Sequence, residues 1–362
     1  MIAAGGTGGH VYPALAVAES LVKLQDNVDL FYVGTVGGFE HPLVQRASVH
    51  FVSHDEVQAG PIHGVNPIQM ATSLFKLTVG TMQAFRLLRK HRPQVILSTG
   101  GWVSLPVTFV ARLLGIPVLI FLPDIEPGLT IKVLRLFANK VATTTEASAK
   151  FFRAGQAIAT GYPLRDDVLN ANHDEAVAHF GLDPECKTLL VFGGSRGARA
   201  INIVIGDILS DLLDMGLQII HVTGTLDYER TQQQIGDLSE HPHYHGVAYL
   251  HDDMGLAFAA ADLAVCRAGA SVLGEFPVFQ LPSILIPLAY SWRYQQVNAD
   301  YLAERGAAVH LDETNAPTQL LSSIREIIEN PARMRSMRDN LQALARPDGA
   351  DNVARLLMEL AK

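Results

Sequence analysis

The residues best suited to chemistry sit in glycine-rich segments that follow short apolar runs. Gly5-Gly6-Thr7-Gly8-Gly9-His10 stands between an apolar run and a helical pattern. Glycine lets the backbone approach a ligand closely, and successive N–H groups at a helix N-terminus attract anionic oxygens. No GK[ST] follows at the Walker spacing. The dinucleotide fingerprint fails as well, because Gly6 and Gly8 are followed by Val11 where a third glycine belongs. A diphosphate or sugar ligand is favoured over a plain tight turn. His10, directly after the glycines, is placed to act as base or hydrogen-bond donor, against the commoner solvated or structural histidine.

Gly193-Gly194-Ser195-Arg196-Gly197-Ala198 repeats that logic in the second half. Ser195 reads either as a phosphate ligand or as an ordinary helix cap. Arg196 and Arg199 add charge that is either functional or merely solvated. In Arg267-Ala268-Gly269-Ala270-Ser271-Val272-Leu273-Gly274-Glu275, small residues open another helix and Glu275 lies one turn into it. That carboxylate suits ribose hydroxyls, or else offsets the helix dipole; the sequence leaves both open. The amides of Gln295-Gln296-Val297-Asn298 suit vicinal sugar hydroxyls. The stretch Pro67–Arg92 is rich in large apolar residues and ends Arg86-Leu87-Leu88-Arg89-Lys90-His91-Arg92. It reads as a core-packing helix with a cationic end, or as a surface helix that dips into anionic lipid headgroups.

The elements that must carry these segments alternate strand and helix, the pattern of parallel sheets with crossover helices. Strands are expected at Met1–Ala4, Leu30–Val33, Val49–Val52, Val95–Ser98, Pro117–Phe121 and Lys140–Thr143. The second half restarts with strands at Thr188–Phe192, Gln218–Thr223, Ala248–Leu250, Leu263–Cys266 and Ser283–Pro287. Helices are expected over Pro13–Lys23, Ala200–Leu213 and, as a long amphipathic segment, about Asn66–Lys90. Two domains follow, residues 1–162 and 163–343, with a C-terminal helix at about 344–362 able to pack back on the first. The first strand is short for a buried one, which suggests that a few residues precede Met1 in the natural chain. The expected fold class is α/β, with two Rossmann-like domains whose parallel sheets face each other. Ligands then bind in an interdomain cleft at the carboxyl ends of the strands.

The bulk numbers agree with this reading and exclude others. The chain has 362 residues, enough for two domains each with its own core. A formal net charge of −8 argues against a general nucleic-acid binder. The two cysteines, Cys186 and Cys266, read as buried reduced thiols, with no disulfide framework and no thiolate zinc site. The 14 histidines show no metal-ligand spacing. No apolar run is long enough to span a membrane, and the N-terminus lacks a signal-peptide pattern.

Taken together, the motifs resemble the MurG family of peptidoglycan N-acetylglucosamine (GlcNAc) transferases, of glycosyltransferase family 28. The segments in family order are GGTGGHVYPALAVAESL, GGWVSLP, GLTIK, GYPLRDDV, GGSRGARAIN, CRAGASVLGE and QQVNADYLAERGAA. The resemblance implies a GT-B fold and inverting transfer of GlcNAc from UDP-GlcNAc to the muramyl 4-hydroxyl of lipid I, giving lipid II. It implies that Thr7, Gly8 and Gly9 border the transferred sugar and diphosphate, and that Arg165 and Ser195 serve the nucleotide diphosphate. Leu250 falls beside the uracil. Ala270, Ser271, Val272, Leu273, Gly274 and Glu275 hold uridine and phosphate, with Glu275 on the ribose, and Gln295 reads the GlcNAc hydroxyls. The segment at residues 67–92 becomes a docking surface on the inner face of the cell membrane, for a cytoplasmic protein peripheral to it.

The mechanism such residues support is direct displacement with no obligatory metal or cofactor, His10 being the expected base or its positioning partner. Two segments depart from the family. Phe121-Leu122-Pro123-Asp124 replaces a His-Glu-Gln-Asn run, so that Asp124 stands at the family's Asn and, with Glu126, is a candidate for the missing carboxylate. Arg293-Tyr294-Gln295 replaces Asp-His-Gln. These changes motivate alternatives on the same fold: a transferase with another lipid or small-molecule acceptor, or a UDP-GlcNAc 2-epimerase. A non-catalytic UDP-sugar-binding partner of the wall machinery is the alternative from another class.

Overall fold

A computed structural model describes residues 1–362 apart from 195, 196, 251 and 289–292. The chain divides into two compact units, Met1–Arg165 with Pro347–Lys362, and Asp166–Arg346.

The first unit carries seven strands, β1 (Ile2–Ala3), β2 (Phe31–Thr35), β3 (Ser53–Val57), β4 (Ile96–Ser98), β5 (Val118–Leu122), β6 (Lys140–Thr143) and β7 (Ala157–Ala159). They form one parallel sheet in the order β3-β2-β1-β4-β5-β6-β7. The central strands are continuous apolar runs such as Val118–Leu122, buried on both faces, as a parallel sheet covered by helices requires. The apolar run at 49–52 is not the edge strand. The polar segment Ser53–Val57 pairs with β2 instead, Phe31 opposite Ser53, and Val52 stays 54% exposed. An edge strand with one open side tolerates polar residues that a central strand does not.

The C-terminal helix Gly349–Leu360 belongs to this unit and packs on the helix Gly8–Leu24. Its buried stripe is Val353, Ala354 and Leu357. Two polar contacts fix its register: Ser20 donates to Asp351 Oδ1 at 2.6 Å, and Asn352 Nδ2 to the Thr160 carbonyl at 3.0 Å.

The helix Pro67–His91 starts on an Asn66 side-chain cap with Pro67 in its first turn, and ends at Arg92 in the left-handed conformation. It buries only small residues and one leucine, Ser73, Gly80, Ala84 and Leu88. Leu88 is fully buried and Leu77 and Leu87 pack against the core, whereas other large side chains of the helix stay in solvent: Ile68 is 80% exposed, Phe75 70% and Met82 57%.

The second unit carries β8 (Lys187–Phe192), β9 (Leu217–Val222), β10 (Tyr244–Val247), β11 (Leu263–Cys266), β12 (Ser283–Leu285) and β13 (Ala308–His310). Its parallel sheet runs β10-β9-β8-β11-β12-β13. Its core joins the helix Arg199–Asp214 to that sheet through Ile201, Ile205, Leu209, Leu189 and Ile219. The strand expected at Ala248–Leu250 is displaced to Tyr244–Val247, where Tyr244 pairs with Ile219 and Val247 with Val222. The short edge strands β7 and β13 were not expected. Cys266 is buried within β11, whereas Cys186 is half-exposed in the loop before β8, contrary to the expectation of two buried thiols.

In both sheets the strand order reverses beside the first strand of the unit. β1 lies between β2 and β4, and β8 between β9 and β11. Such switch points are where open α/β sheets bind ligands, beyond the carboxyl ends of the strands.

Candidate active site

The turn Gly5–Gly9 follows β1 directly, and the helix starts at Gly8. Its first backbone hydrogen bonds run from the His10 and Val11 N–H groups to the Thr7 carbonyl. The Gly8 and Gly9 N–H groups therefore lie at the positive end of the helix, the position at which an anion is stabilised. Gly100-Gly101, after the adjacent strand β4, packs against this turn. Gly101 has φ +81°, and a side chain on it would collide with the Gly5 carbonyl.

His10 Nδ1 lies 3.1 Å from the Gly5 carbonyl oxygen and 3.3 Å from Thr7 Oγ1. A carbonyl only accepts, so Nδ1 carries the proton and Nε2 keeps its lone pair. The ring lies on Gly100, where an added Cβ would come within 2.9 Å of Cδ2 and Nε2. Thr99 Oγ1 donates to the His10 carbonyl at 2.7 Å. Burial lowers the pKa of His10 below the usual histidine value, against a smaller upward effect of the Gly5 bond. At neutral pH the imidazole is neutral, the state a general base needs.

The sequence reading overlooked Tyr12. Its ring lies against Gly8, and the Arg165 guanidinium carbon sits 5.0 Å from its centre. A cation stacked at that distance is attracted by the ring quadrupole. Arg165 thus closes the first unit beside the N-terminus of the helix Gly8–Leu24. The signal was an aromatic residue one helical turn after a glycine.

Asp124 is half-buried, two residues past the end of β5. Thr144 Oγ1 donates to the Pro123 carbonyl at 2.7 Å and Ser148 Oγ to the Ile125 carbonyl at 2.9 Å, which pins the backbone on either side of it. Strand order separates the ends of β1 and β5 by two strand spacings, about 10 Å. His10 and Asp124 therefore share one sheet edge without being neighbours along it. Glu126 has Lys132 Nζ 3.9 Å from its carboxylate.

In the second unit, Gly193–Ala198 follows β8 and leads into the helix Arg199–Asp214; Ser195 and Arg196 lie outside the described residues. Gly197, at φ +76°, lies against the Thr223 carbonyl, which also accepts from buried Asn202 Nδ2 at 2.8 Å. Behind Asn202, His221 Nε2 lies 3.1 Å from Asn202 Oδ1, and its Nδ1 is 3.0 Å from the Tyr244 hydroxyl. Burial drives the His221 pKa down to about 3. This neutral polar network supports the second glycine turn. Arg199, read as adding functional or merely solvated charge, pairs with Asp227 at 2.9 Å.

After β11, the segment Ala268–Ser271 leads into the helix Val272–Phe279. Ala270, Ser271 and Glu275 are partly exposed, whereas Val272, Leu273 and Gly274 are buried. The Val272 and Leu273 side chains are buried. Arg267 ties this turn to neighbouring segments, pairing with Glu313 and donating to the Ile286 carbonyl at 3.1 Å.

Gln295 is half-buried, and its Oε1 accepts from the Leu288 N–H at 2.9 Å, which leaves the amide nitrogen to donate. Asn298, read as a possible sugar contact, is fully buried and donates to the Ala268 carbonyl at 3.2 Å. It braces the turn from behind. Leu250 is half-buried in the loop beyond β10. Thus Thr7, Gly8, Gly9, His10, Asp124 and Arg165 collect at one edge of the first sheet. Ala270, Ser271, Glu275 and Gln295 lie beyond the carboxyl ends of adjacent strands β11 and β12 in the second.

Two family profiles match the chain: the Glycosyltransferase family 28 N-terminal domain over residues 1–143, and the family 28 C-terminal domain over residues 188–353. Three curated relatives bear the name UDP-N-acetylglucosamine–N-acetylmuramyl-(pentapeptide) pyrophosphoryl-undecaprenol N-acetylglucosamine transferase. The protein of Roseiflexus sp. is 37% identical, over 98% of this chain and 93% of its own. That of Desulforudis audaxviator is 36% identical, over 100% and 98%, and that of Bacillus subtilis 31%, over 100% and 99%. Among solved structures, Acinetobacter baumannii MurG is 26% identical, covers 99% of both chains and superposes with a TM-score of 0.76. A UDP-GlcNAc 2-epimerase from Neisseria meningitidis, at 13% identity and a TM-score of 0.69, shares the fold alone. With the motifs of both halves in order and the parallel sheets of the GT-B fold in each unit, the chain belongs to the MurG family of glycosyltransferases, within family 28.

Proposed function

We propose that the chain transfers GlcNAc from UDP-GlcNAc to the muramyl 4-hydroxyl of lipid I, with inversion, giving lipid II and UDP in peptidoglycan synthesis. The observation that carries this reading is the His10 ring, held by the Gly5 carbonyl with Nε2 unprotonated, beside the N-terminus of the helix Gly8–Leu24. In the proposed step, His10 Nε2 removes the proton of the acceptor hydroxyl as its oxygen attacks the anomeric carbon. The bond from that carbon to the diphosphate breaks on the opposite face. The Gly8 and Gly9 N–H groups and Arg165 stabilise the charge that develops on the departing diphosphate. Thr7 borders the sugar, and Asp124 orients the acceptor or shares the base role. No metal or other cofactor is assigned to the step.

Uridine and the diphosphate fall to Ser195, Leu250, the backbone of Val272–Gly274, Ala270 and Ser271, with Glu275 on the ribose and Gln295 on the GlcNAc hydroxyls. The partly exposed Glu275, and a Gln295 amide nitrogen with no partner among the described residues, support that assignment.

The acceptor is lipid-linked, and one surface suits a bilayer. Ile68, Phe75, Met82 and Phe85 of the helix Pro67–His91 are exposed, as are Phe109 and Leu113 of the helix packed on it. Arg86, Arg89, Lys90 and Arg112 are exposed around them. Apolar side chains rimmed by cations are what an anionic interface binds. Among the described residues no helix is long and apolar enough to cross a membrane. We assign the chain to the cytoplasmic face of the cell membrane, as a peripheral protein.

The test is product analysis with UDP-GlcNAc and a lipid I analogue. A disaccharide-linked product that requires the acceptor supports the reading. Interconversion of UDP-GlcNAc without acceptor identifies an epimerase, and binding without turnover a non-catalytic partner.

A further inference from the structure

At the opposite end of the second sheet from the glycine turns, three side chains of different chemistry converge. An Asp183 carboxylate oxygen, Cys186 Sγ and a His243 ring nitrogen all lie within 4.8 Å of one another. Asp183 and Cys186 precede β8, and His243 precedes β10, so the group spans the strand between them, β9. β8 is six residues long, which places the cluster about 20 Å from the turn at its other end. It has no part in the donor chemistry.

The backbone that carries these groups is held in place. Buried Gln218, in β9, accepts from the Asp183 N–H at 2.9 Å and donates to the Asp183 carbonyl at 2.9 Å and the Cys186 carbonyl at 3.2 Å. The Cys186 N–H donates to the Asp183 carbonyl at 3.2 Å. Asp183 Oδ1 accepts from the Glu185 N–H at 2.9 Å, which leaves Oδ2 turned toward Cys186 Sγ at 3.7 Å. On the other side, the His243 N–H donates to His241 Nδ1 at 3.2 Å and its carbonyl accepts from the Ile219 N–H at 2.8 Å.

We propose that Asp183, Cys186 and His243 bind one zinc-class divalent cation, with water as a fourth ligand. A thiolate, an imidazole and a carboxylate form a donor set that suits zinc. Zinc bonds of about 2.0 Å to N or O and 2.3 Å to S set tetrahedral sulfur–oxygen edges of about 3.5 Å, close to the 3.7 Å observed between Sγ and Oδ2. The half-exposed His243 ring nitrogen lies within 4.8 Å of both other ligand atoms. On binding, the Cys186 thiol loses its proton to solvent and its sulfur bonds the ion; no electron changes hands. The charges of thiolate, carboxylate and dication cancel. The bound ion ties the loops ahead of β8 and β10, two strands that do not pair with each other. Carboxylate orientation by the Glu185 N–H is the outer-shell support that metal sites use. Sequence reading missed the group because its histidine is remote along the chain and the cysteine stands alone.

The test uses the full chain, stripped with a chelator and titrated with Zn²⁺ or Co²⁺ alone. One equivalent is expected to bind, and the Co²⁺ form to show a thiolate-to-metal charge-transfer band in the near ultraviolet. Cys186→Ser removes that band, while His243→Ala and Asp183→Asn weaken binding at least about tenfold, circular dichroism showing that each is folded. In the wild type, Zn²⁺ slows alkylation of Cys186, identified by peptide mass. Stoichiometric binding without the thiolate band, unchanged affinity in the folded variants, or a Cys186 alkylation rate indifferent to Zn²⁺ would each overturn the proposal.

Discussion

The Arg165 guanidinium lies 5.0 Å from the centre of the Tyr12 ring, and the same ring packs on Gly8, the first residue of the helix that opens the candidate site. An arginine used on a diphosphate gains from being held where the charge will develop. Tyr12→Leu is expected to lower kcat/KM by about 5- to 30-fold, the equivalent of about 1–2 kcal/mol of cation–π attraction. Tyr12→Phe should lie within about twofold of wild type, because the ring does the work. In an Arg165→Ala background, Tyr12→Leu should cost little more, a non-additivity that a double-mutant cycle reads. Full additivity would mean that the stacking does not act through Arg165.

The His10 ring has its own signature in the pH profile. Its pKa is lowered by burial, so the imidazole stays neutral at pH values below the usual histidine midpoint of about 6.5. If Nε2 is the base, kcat/KM falls on the acid side with a midpoint under that value. His10→Gln should lower the rate by about 100-fold or more and erase this limb. Asp124→Ala should lower the rate and keep it.

His221 predicts how the fold responds to acid. Its folded-state pKa, about 3, lies far below that of an unfolded histidine. Between those values the unfolded chain binds a proton that the folded chain refuses, so stability falls as pH falls. The contribution lost between pH 7 and 5 is about 2 kcal/mol. His221→Gln should be less stable at pH 7, since it disturbs the bonds to Asn202 and Tyr244, but should lose less on acidification. Urea midpoints at the two pH values measure both effects.

The apolar surface makes a separable prediction. Ile68 and Phe75 are 80% and 70% exposed, so Ile68→Ser with Phe75→Ser removes apolar area without opening the core. Binding to vesicles rich in anionic phospholipid should drop by about 100-fold or more, as loss of about 1.5–3 kcal/mol for each of the two side chains implies. Turnover of a short-chain, water-soluble acceptor should be unchanged. Equal binding by wild type and the double variant would refute the docking surface.

Much of this architecture was legible in the sequence because glycine-rich turns and runs such as Val118–Leu122 have few alternative structures. The turns Gly5–Gly9 and Gly193–Ala198 announced both switch points. What sequence could not settle was which members of a motif face inward. Val272, Leu273 and Asn298 sit in segments whose spacing suggests a site, yet the helix turns them into the core. Edge strands were the other weakness. At Ser53–Val57 and Tyr244–Val247 the edge strands are built on segments that include polar residues, since one open edge relaxes the demand for hydrophobicity. Long-range pairs such as Arg165 with Tyr12, or Cys186 with His243, carry no local pattern at all.

The most direct test of the central claim is UDP release from UDP-GlcNAc with a lipid I analogue, for wild type beside His10→Ala and Asp124→Ala. The account predicts release that depends on the acceptor, falls by about 100-fold or more in His10→Ala, and falls by less in Asp124→Ala, with UDP affinity retained in both variants. Tight UDP binding without acceptor-dependent release in the wild type would contradict the assigned reaction. Undiminished release by His10→Ala would remove that histidine from the role of base.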